Sequence, residues 1–538
     1  MPSLNWIGRE AILNHHNEIP YRVLRYNAEF SVGDSQIQIN SRQSSNLLIE
    51  GDNLEALKAL LPYYGGQVKC IYIDPPYNTG DENWIYNDAV NSPTIQAWLG
   101  KVVGGEVEDL SRHDKWLSMM YPRMQLLVQF LRADGFLLVS LNDIEIARFR
   151  IMMDDVLPLS CYVTTLMWKS RRNLDNRSLH NISVDHEYVV VFRRGDGSFR
   201  GTDKDMSKYS NPDNDPRGPW MSDNLVGLAT IERRPNLHYD LINPETGDLY
   251  PCPNKGWRYS QETITQKIRE GRIIWPSNKS GRPRHKKFAS DLLSEYAGFS
   301  SIIDCGNTNE GTEEVSRIMG RERFIFPKPR SLIQTLLRQI TSSDDIILDS
   351  FAGTGTTAHA ALALNAKDGG NRRFILVEMD ENIARNITAE RLRRVIEGYD
   401  WKDQKGNTRY EDELGGGFRY CTLGPPLFDE NGAIRPEVTF NDLAAHIYFT
   451  ETGQPLSDDQ HRRSKDSAFI GHAGEIAYYL FFNGVGARPR ILLDQRTLKQ
   501  IKHDGPAVVY ADGCTLSPET LKMLNITFKQ IPYQIETR

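Results

Sequence analysis

Two short apolar runs, 68–73 and 345–349, each stop at a turn that cannot continue a strand, and this repeated arrangement constrains the chain more than any other feature. The first run ends in Asp74-Pro75-Pro76-Tyr77, where two prolines fix the backbone and remove N–H donors. The second runs into Ser350-Phe351-Ala352-Gly353-Thr354-Gly355, whose glycines permit left-handed backbone and close approach of a ligand. Apolar runs of this length, bounded by such turns, read as strands buried on both faces. Further strand-like runs at 46–49, 136–141, 162–168, 187–192 and 373–378 surround them. Helix-spaced apolar residues fall at 54–61, 116–131 (closed by Asp134-Gly135), 332–340 and 356–366. Strands alternating with helices predict an α/β fold built on a doubly wound, mostly parallel sheet.

At 538 residues the chain has room for about three or four domains. The spacing suggests an N-terminal extension over 1–45, a sheet domain in two segments, 46–200 and 321–425, and an irregular insertion over 201–320. Residues 426–538 read as a small C-terminal α/β domain, with strands at 490–493, 507–510 and 526–528 and a helix at 517–524. No run approaches the length of a membrane span, and the N-terminus lacks an export pattern, so a cytoplasmic protein without membrane contact is expected. The six cysteines stand singly, with no C-x-x-C pair, so neither a metal site nor a disulfide framework is expected.

A formal net charge of −6 argues against basic surface throughout. Basic charge is concentrated in the insertion, where Lys255, Arg258, Arg272, Arg282, Arg284, Lys286 and Lys287 are interleaved with aromatics such as Trp257. This is either a nucleic-acid surface, with cations for phosphates and rings for bases, or a solvated basic face.

The two turns suggest different chemistry. A phosphate-binding loop would place lysine before the Thr356-Thr357 pair, but Gly355 stands there, which disfavours nucleoside triphosphates. Glu378 closes the next strand, where a nucleotide-type fold carries the acid for ribose hydroxyls, so an adenosine-containing cofactor is indicated. Asp74 offers a carboxylate acceptor, the Pro75-Pro76 turn offers carbonyls, and Tyr77 offers a flat π-face. Together these can hold an amino group by its hydrogens while its ring stacks on tyrosine.

With both motifs present, the chain resembles the amino-methyltransferases of DNA in their permuted (beta-class) order, and more narrowly the modification subunits of type III restriction-modification systems. The resemblance covers about residues 46 to 425 and rests on Gly51 to Leu57, Asp74 to Gly80, the 116–123 helix and Asp185-His186-Glu187-Tyr188. It continues through Phe326-Pro327-Lys328-Pro329, Asp349 to Thr357, Glu378 and Gly417-Phe418-Arg419-Tyr420. It implies a Rossmann-like methyltransferase fold with S-adenosyl-L-methionine as cofactor and N6 of a flipped-out adenine as target. Asp74, Pro75, Pro76 and Tyr77 would form the amine site. Asp349, Phe351, Gly353, Gly355 and Thr357 would line the cofactor's methionine moiety, Glu378 its ribose, and Lys328 and Pro329 would cap the methionine end. Asp52 would lie near the adenine, with a plain helix N-cap as the alternative.

The resemblance also implies double-stranded DNA as partner and target recognition by the insertion. A homodimer, and docking of a restriction (helicase-nuclease) subunit, are expectations for the C-terminal domain. N4 of cytosine as target and a catalytically silent DNA-binding subunit stay open. A C5-cytosine enzyme is disfavoured, since Pro251-Cys252 precedes the Gly-rich turn whereas in that class the cofactor motif comes first.

Overall fold

The computed structural model describes residues 4–33, 46–78, 108–174, 180–278, 280–292, 294, 296–320, 327–403, 405–456, 468–486 and 490–535. Thr79, Gly80 and Phe326, which extend the sequence motifs, lie outside them. Contacts divide the chain into two compact units, Met1–Phe199 with Ser300–Arg538, and Arg200–Phe299.

The larger unit is organised by a 10-stranded sheet. In chain order its strands are β1 (Arg22–Val32), β2 (Asn46–Glu50), β3 (Val68–Ile73), β4 (Leu131–Leu141), β5 (Tyr162–Lys169), β6 (His186–Arg193), β7 (Ile302–Ile303), β8 (Ile346–Asp349), β9 (Arg373–Glu378) and β10 (Phe418–Pro426). They lie in the order β1-β10-β2-β9-β8-β3-β4-β6-β5-β7. Pairing is parallel except at β1/β10, β4/β6 and β6/β5, which gives the mostly parallel sheet expected from the alternation.

Helices α1 (Asn53–Tyr64), α2 (Glu108–Phe130), α3 (Thr308–Met319), α4 (Arg330–Ile340) and α5 (Thr356–Asp368) serve this sheet. Alternate residues Ile71, Ile73, Leu348, Ile375 and Val377 join the core formed with α1 and α2. Cys70, Tyr72, Ile347, Phe374 and Leu376, which point the other way, are also buried. Burial on both faces explains why these strands read as unbroken apolar runs.

Three sequence expectations change. Residues 1–45 are not merely an extension, because β1 pairs with β10 at the sheet edge. Asp134-Gly135 does not close the 116–131 helix: α2 ends at Phe130 and β4 starts at Leu131. Leu131 pairs with Val68 and Phe136 with Cys70, so residues 132–135 bulge out of register. There the Asp134 carboxylate takes Arg132 (2.6 Å) and Lys69 (2.6 Å). The insertion is also shorter than 201–320, because β7 pairs with β5 in the main sheet and α3 belongs to the larger unit.

The C-terminal segment forms a four-stranded sheet of Phe469–Ala473, Ile476–Leu480, Ala507–Ala511 and Ile526–Gln530. Its first hairpin and the helix Phe440–Thr452 had no strong signature in sequence. That helix is held to α1 by a hydrogen bond from the Tyr63 hydroxyl to Asp442 (3.2 Å). Among the described residues no helix is long and apolar enough to cross a membrane.

The smaller unit pairs Trp220–Asn224 with Arg284–Phe288, and the latter with Ile273–Ile274. Its core contains Leu225, Leu241, Tyr250, Trp257, Ile264 and Ile273.

Candidate active site

Four neighbouring parallel strands, β2, β9, β8 and β3, bring their carboxyl ends to one edge of the sheet. Register places Ile347 opposite Cys70 and Leu348 opposite Ile71, so the turns after β3 and β8 become neighbours although 275 residues separate Asp74 from Asp349. Ligands of open α/β sheets bind at this end. A cleft of ≈ 200 Å³ opens here, with Asp74, Pro76, Lys328, Phe351, Gly353 and Glu378 in its wall.

The Gly-rich turn is fixed from below by carboxylates. Gly353 and Gly355 adopt φ of 50° and 77°, and a Cβ on Gly355 would stand 3.0 Å from the Thr388 methyl. Asp349 accepts from the Phe351 amide (3.0 Å) and the Thr357 hydroxyl (2.6 Å). Glu378 accepts from the Gly353 amide (2.8 Å) and the Asp380 amide (3.0 Å). Burial pushes both carboxyls up to about 7, against the pull of these hydrogen bonds.

Sequence reasoning missed the cation behind this turn. Arg391, fully buried, donates to the hydroxyls of Thr354 (2.8 Å) and Thr356 (3.0 Å) and pairs with Glu314 of α3 (3.1 Å). Only the apolar spacing around it marks Arg391 as inward-facing.

On the other wall, Asp74 places Oδ2 3.0 Å from the Lys328 ammonium, while its buried Oδ1 has no hydrogen-bond partner among the described residues. Burial raises the Asp74 carboxyl above its usual range, and Lys328 opposes that rise. Lys328 also reaches Glu187 (3.2 Å) and lies 4.6 Å from the centroid of the Tyr77 ring. The Tyr77 hydroxyl donates to Glu187 (2.9 Å). Burial alone would lower the Lys328 ammonium, but the two carboxylates carry it above its usual value.

Glu187 is therefore a site residue that motif reading left among supporting matches. The Pro76 carbonyl accepts from the Trp116 indole (2.7 Å), which fixes the turn and leaves one lone pair of that oxygen. Asn78 takes left-handed backbone (φ 55°) and donates to buried Glu145, which also meets His113 (2.5 Å).

The remaining predicted residues divide. Thr357 lines the cleft. Pro75 and Gly355 shape its turns, and Tyr77 sets its ring against Lys328 and its hydroxyl on Glu187. Asp52 is the N-cap of α1, accepting from the amides of Leu54 (2.9 Å) and Glu55 (3.1 Å), and its other oxygen meets Arg123 (3.2 Å). Pro329 precedes α4 as its N-cap residue.

In the insertion, Trp257 is 1% exposed and its indole donates to the Tyr239 carbonyl, so it is a core residue, not a base-stacking ring. Arg258 pairs with Asp223 (2.9 Å), Arg272 with Asp291 (2.5 Å) and Glu270 (3.0 Å), and Lys286 with Asp213 and Asp215. Arg284 donates to Ser222. Lys255, Arg282 and Lys287 have no carboxylate partner among the described residues.

Sequence comparison fits this geometry. The profile of the N6/N4 DNA methylase family matches residues 68–390, from the start of β3 to the helical segment carrying Thr388. The chain is 30% identical to the StyLTI Mod subunit, a type III restriction-modification enzyme of Salmonella typhimurium, over 82% of this chain and 66% of the relative. It is 27% identical to the EcoP15I Mod subunit of Escherichia coli over 70% of this chain and 64% of that one. With the type II methyltransferase M.KpnI of Klebsiella pneumoniae it shares 30% identity over 70% of this chain and 91% of the relative. The chain thus spans just under two thirds of the length of the two type III relatives. The match runs through both turns and the strands that place them side by side, and the chain belongs to the N6/N4 DNA methylase family.

Proposed function

We propose that the chain is an S-adenosyl-L-methionine-dependent DNA methyltransferase that modifies N6 of a flipped-out adenine, as the modification subunit of a restriction-modification system. The observation that carries this reading is the buried Asp74 Oδ1, without a hydrogen-bond partner among the described residues, one strand away from the Gly-rich turn. A buried carboxylate oxygen without a partner is costly, and a donor from a ligand would relieve that cost.

The cleft has donors and acceptors suited to the cofactor. Glu378 would take ribose hydroxyls on its remaining lone pairs, and Phe351 and the small-residue turn would accept the methionine chain close to the backbone. When bound, the cofactor supplies an electrophilic sulfonium methyl. The chain's task is to present a nitrogen to it. Tyr77 stacks the base, Asp74 accepts an amine hydrogen at Oδ1, and that oxygen is placed to take the proton released when the amine gains a methyl group. Its raised carboxyl range makes it a better proton acceptor than an exposed aspartate. Preorganised acceptors and orientation account for the rate in this reading.

The insertion would read the target, and the C-terminal domain would serve dimerisation or a helicase-nuclease partner; the Mod subunit names of the relatives support the partner reading. The family profile covers both N6 and N4 chemistry, so cytosine N4 is the second reading. Incubation with labelled cofactor and unmethylated DNA, followed by nucleoside analysis, decides. N6-methyladenine is expected, N4-methylcytosine would replace the base assignment, and no product would sink the enzymatic reading. Truncation after 426 that leaves oligomeric state and partner binding unchanged would remove the C-terminal role.

A further inference from the structure

The carboxylate and the aromatic face that a target base would use are already engaged by an amine of the chain itself. Lys328 presents N–H donors to Asp74 Oδ2 (3.0 Å) and stands 4.6 Å from the Tyr77 ring centroid. An exocyclic base amine would use the same carboxylate and the same aromatic face. Oδ1 of Asp74 is open to a second donor, but the ring face cannot hold both. The ammonium is not idle surface charge, because its side chain is only 10% exposed.

The backbone under it is held. A Cβ on Gly311 would stand 2.2 Å from the Pro327 carbonyl oxygen, and the Lys328 carbonyl accepts from Thr356 (3.3 Å). Relief must therefore come from side-chain torsions. Lys328 has a second acceptor, Glu187 at 3.2 Å, which keeps the ammonium paired after it leaves Asp74. The same carboxylate holds the Tyr77 hydroxyl, so the ring stays aimed while the lysine moves.

We propose that Lys328 is an internal surrogate for the target amine, which a base carrying an exocyclic amino group displaces from Asp74 onto Glu187. This rests on the amine-site reading above. It makes Lys328 a gate and Glu187 a positioning residue. Thymine offers a single ring N–H between two carbonyls, not the two donors of an exocyclic amine, and leaves the gate shut. Charge-assisted contacts of this kind are strong enough that the exchange shows in affinity. Until exchange, Lys328 opposes the rise that burial imposes on the Asp74 carboxyl.

Binding of single-stranded oligodeoxyadenosine and oligothymidine to the full chain, by fluorescence anisotropy, tests this without knowledge of the target site. At one fixed, mildly alkaline pH for all variants, Lys328→Met is expected to bind oligodeoxyadenosine about tenfold tighter than wild type. Its oligothymidine affinity should not rise. Loss of a cation weakens nucleic-acid binding in general, so a gain confined to adenine has the opposite sign to bulk electrostatics. Glu187→Gln, which weakens the retreat, should bind oligodeoxyadenosine less tightly than wild type.

Unchanged or weaker adenine binding by Lys328→Met, or an equal gain on thymine, overturns the proposal. If Lys328→Met loses cooperative thermal unfolding, Lys328→Gln, a neutral donor, replaces it with the same expected direction. A wild type that methylates no DNA while these variants still show the adenine-specific gain would sink the enzymatic reading and keep the gate. A methylating wild type without the gain would do the reverse.

Discussion

The cleft and the insertion both gather charged residues, but they are built in opposite ways. In the cleft, the Asp349 and Glu378 carboxylates are buried at strand ends and tied to backbone amides of single turns, and one oxygen, Asp74 Oδ1, has no partner among the described residues. In the insertion, three cations of the basic run, Arg258, Arg272 and Lys286, are neutralised by acids of the same unit. Lys286 meets Asp213, 73 residues earlier, and Arg258 meets Asp223, 35 residues earlier. A strand-end motif carries its geometry with it, whereas a charge run says nothing about the partners that folding will supply.

The sharpest way to break the comparison is at its unpartnered atom. Asp74→Ala removes the acceptor without touching the Gly-rich turn, so methyl transfer should fall by about 10³-fold or more while cofactor affinity stays near that of wild type. Product formation and calorimetry measure the two sides. A variant that keeps activity would end the Asp74 assignment.

A smaller loss follows from straining the turn itself. Gly355 combines φ of 77° with a 3.0 Å approach of any Cβ to Thr388. Gly355→Val should lose about 1–2 kcal/mol from backbone conformation, with more from the methyl contact, and weaken cofactor binding. Thermal unfolding and calorimetry report both. Equal stability and affinity would show that the turn can relax.

These residues were legible because sequence order and local structure coincide there. The apolar run 68–73 became β3 and 373–378 became β9 with unchanged bounds, and each motif follows its strand directly. What was not legible depends on long-range pairing. Glu187 lies 110 residues from Tyr77 and Arg391 lies 37 residues from Thr354, and neither belongs to a turn. Asp52 is ambiguous in sequence, because its place before an apolar helix fits both ligand contact and capping, and the α1 amides take its Oδ1 as a cap. Trp257 counted as an aromatic beside cations, yet a small unit of about 100 residues needs large side chains for its core, and Trp257 fills that need.

Titration separates the regions next. Glu378 and Asp349 are pushed up to about 7, and their folded values stand above the ordinary carboxyl range near 4. The folded state therefore holds protons that the unfolded chain has released. Their contribution is full below about pH 4 and is lost as pH rises through about 7, a change of up to a few kcal/mol. Ribose hydroxyls donating to Glu378 would favour its ionised form, so cofactor binding near neutral pH should release a proton. Calorimetry in buffers of different ionisation enthalpy detects this. Binding without proton release would detach Glu378 from the ribose role.

The mildest effects belong to the insertion, and they sharpen the contrast most directly. Lys255, Arg282 and Lys287 lack carboxylate partners among the described residues, while Arg258 and Arg272 are already paired. A cation that must first leave an aspartate releases less counterion on meeting a phosphate. Replacing Arg282 or Lys287 by alanine should therefore lower the slope of log affinity against log salt by about 0.9 each for duplex DNA, with little change in unfolding temperature. Replacing Arg258 or Arg272 should alter that slope less, and Arg272→Ala, which frees Asp291 and Glu270, should lower the unfolding temperature instead. Salt titrations of duplex binding, run beside thermal unfolding, measure both. If the paired arginines carried the larger slope, the ion pairs within the insertion would be opening onto DNA, and the division between spent and available charge would have to be redrawn.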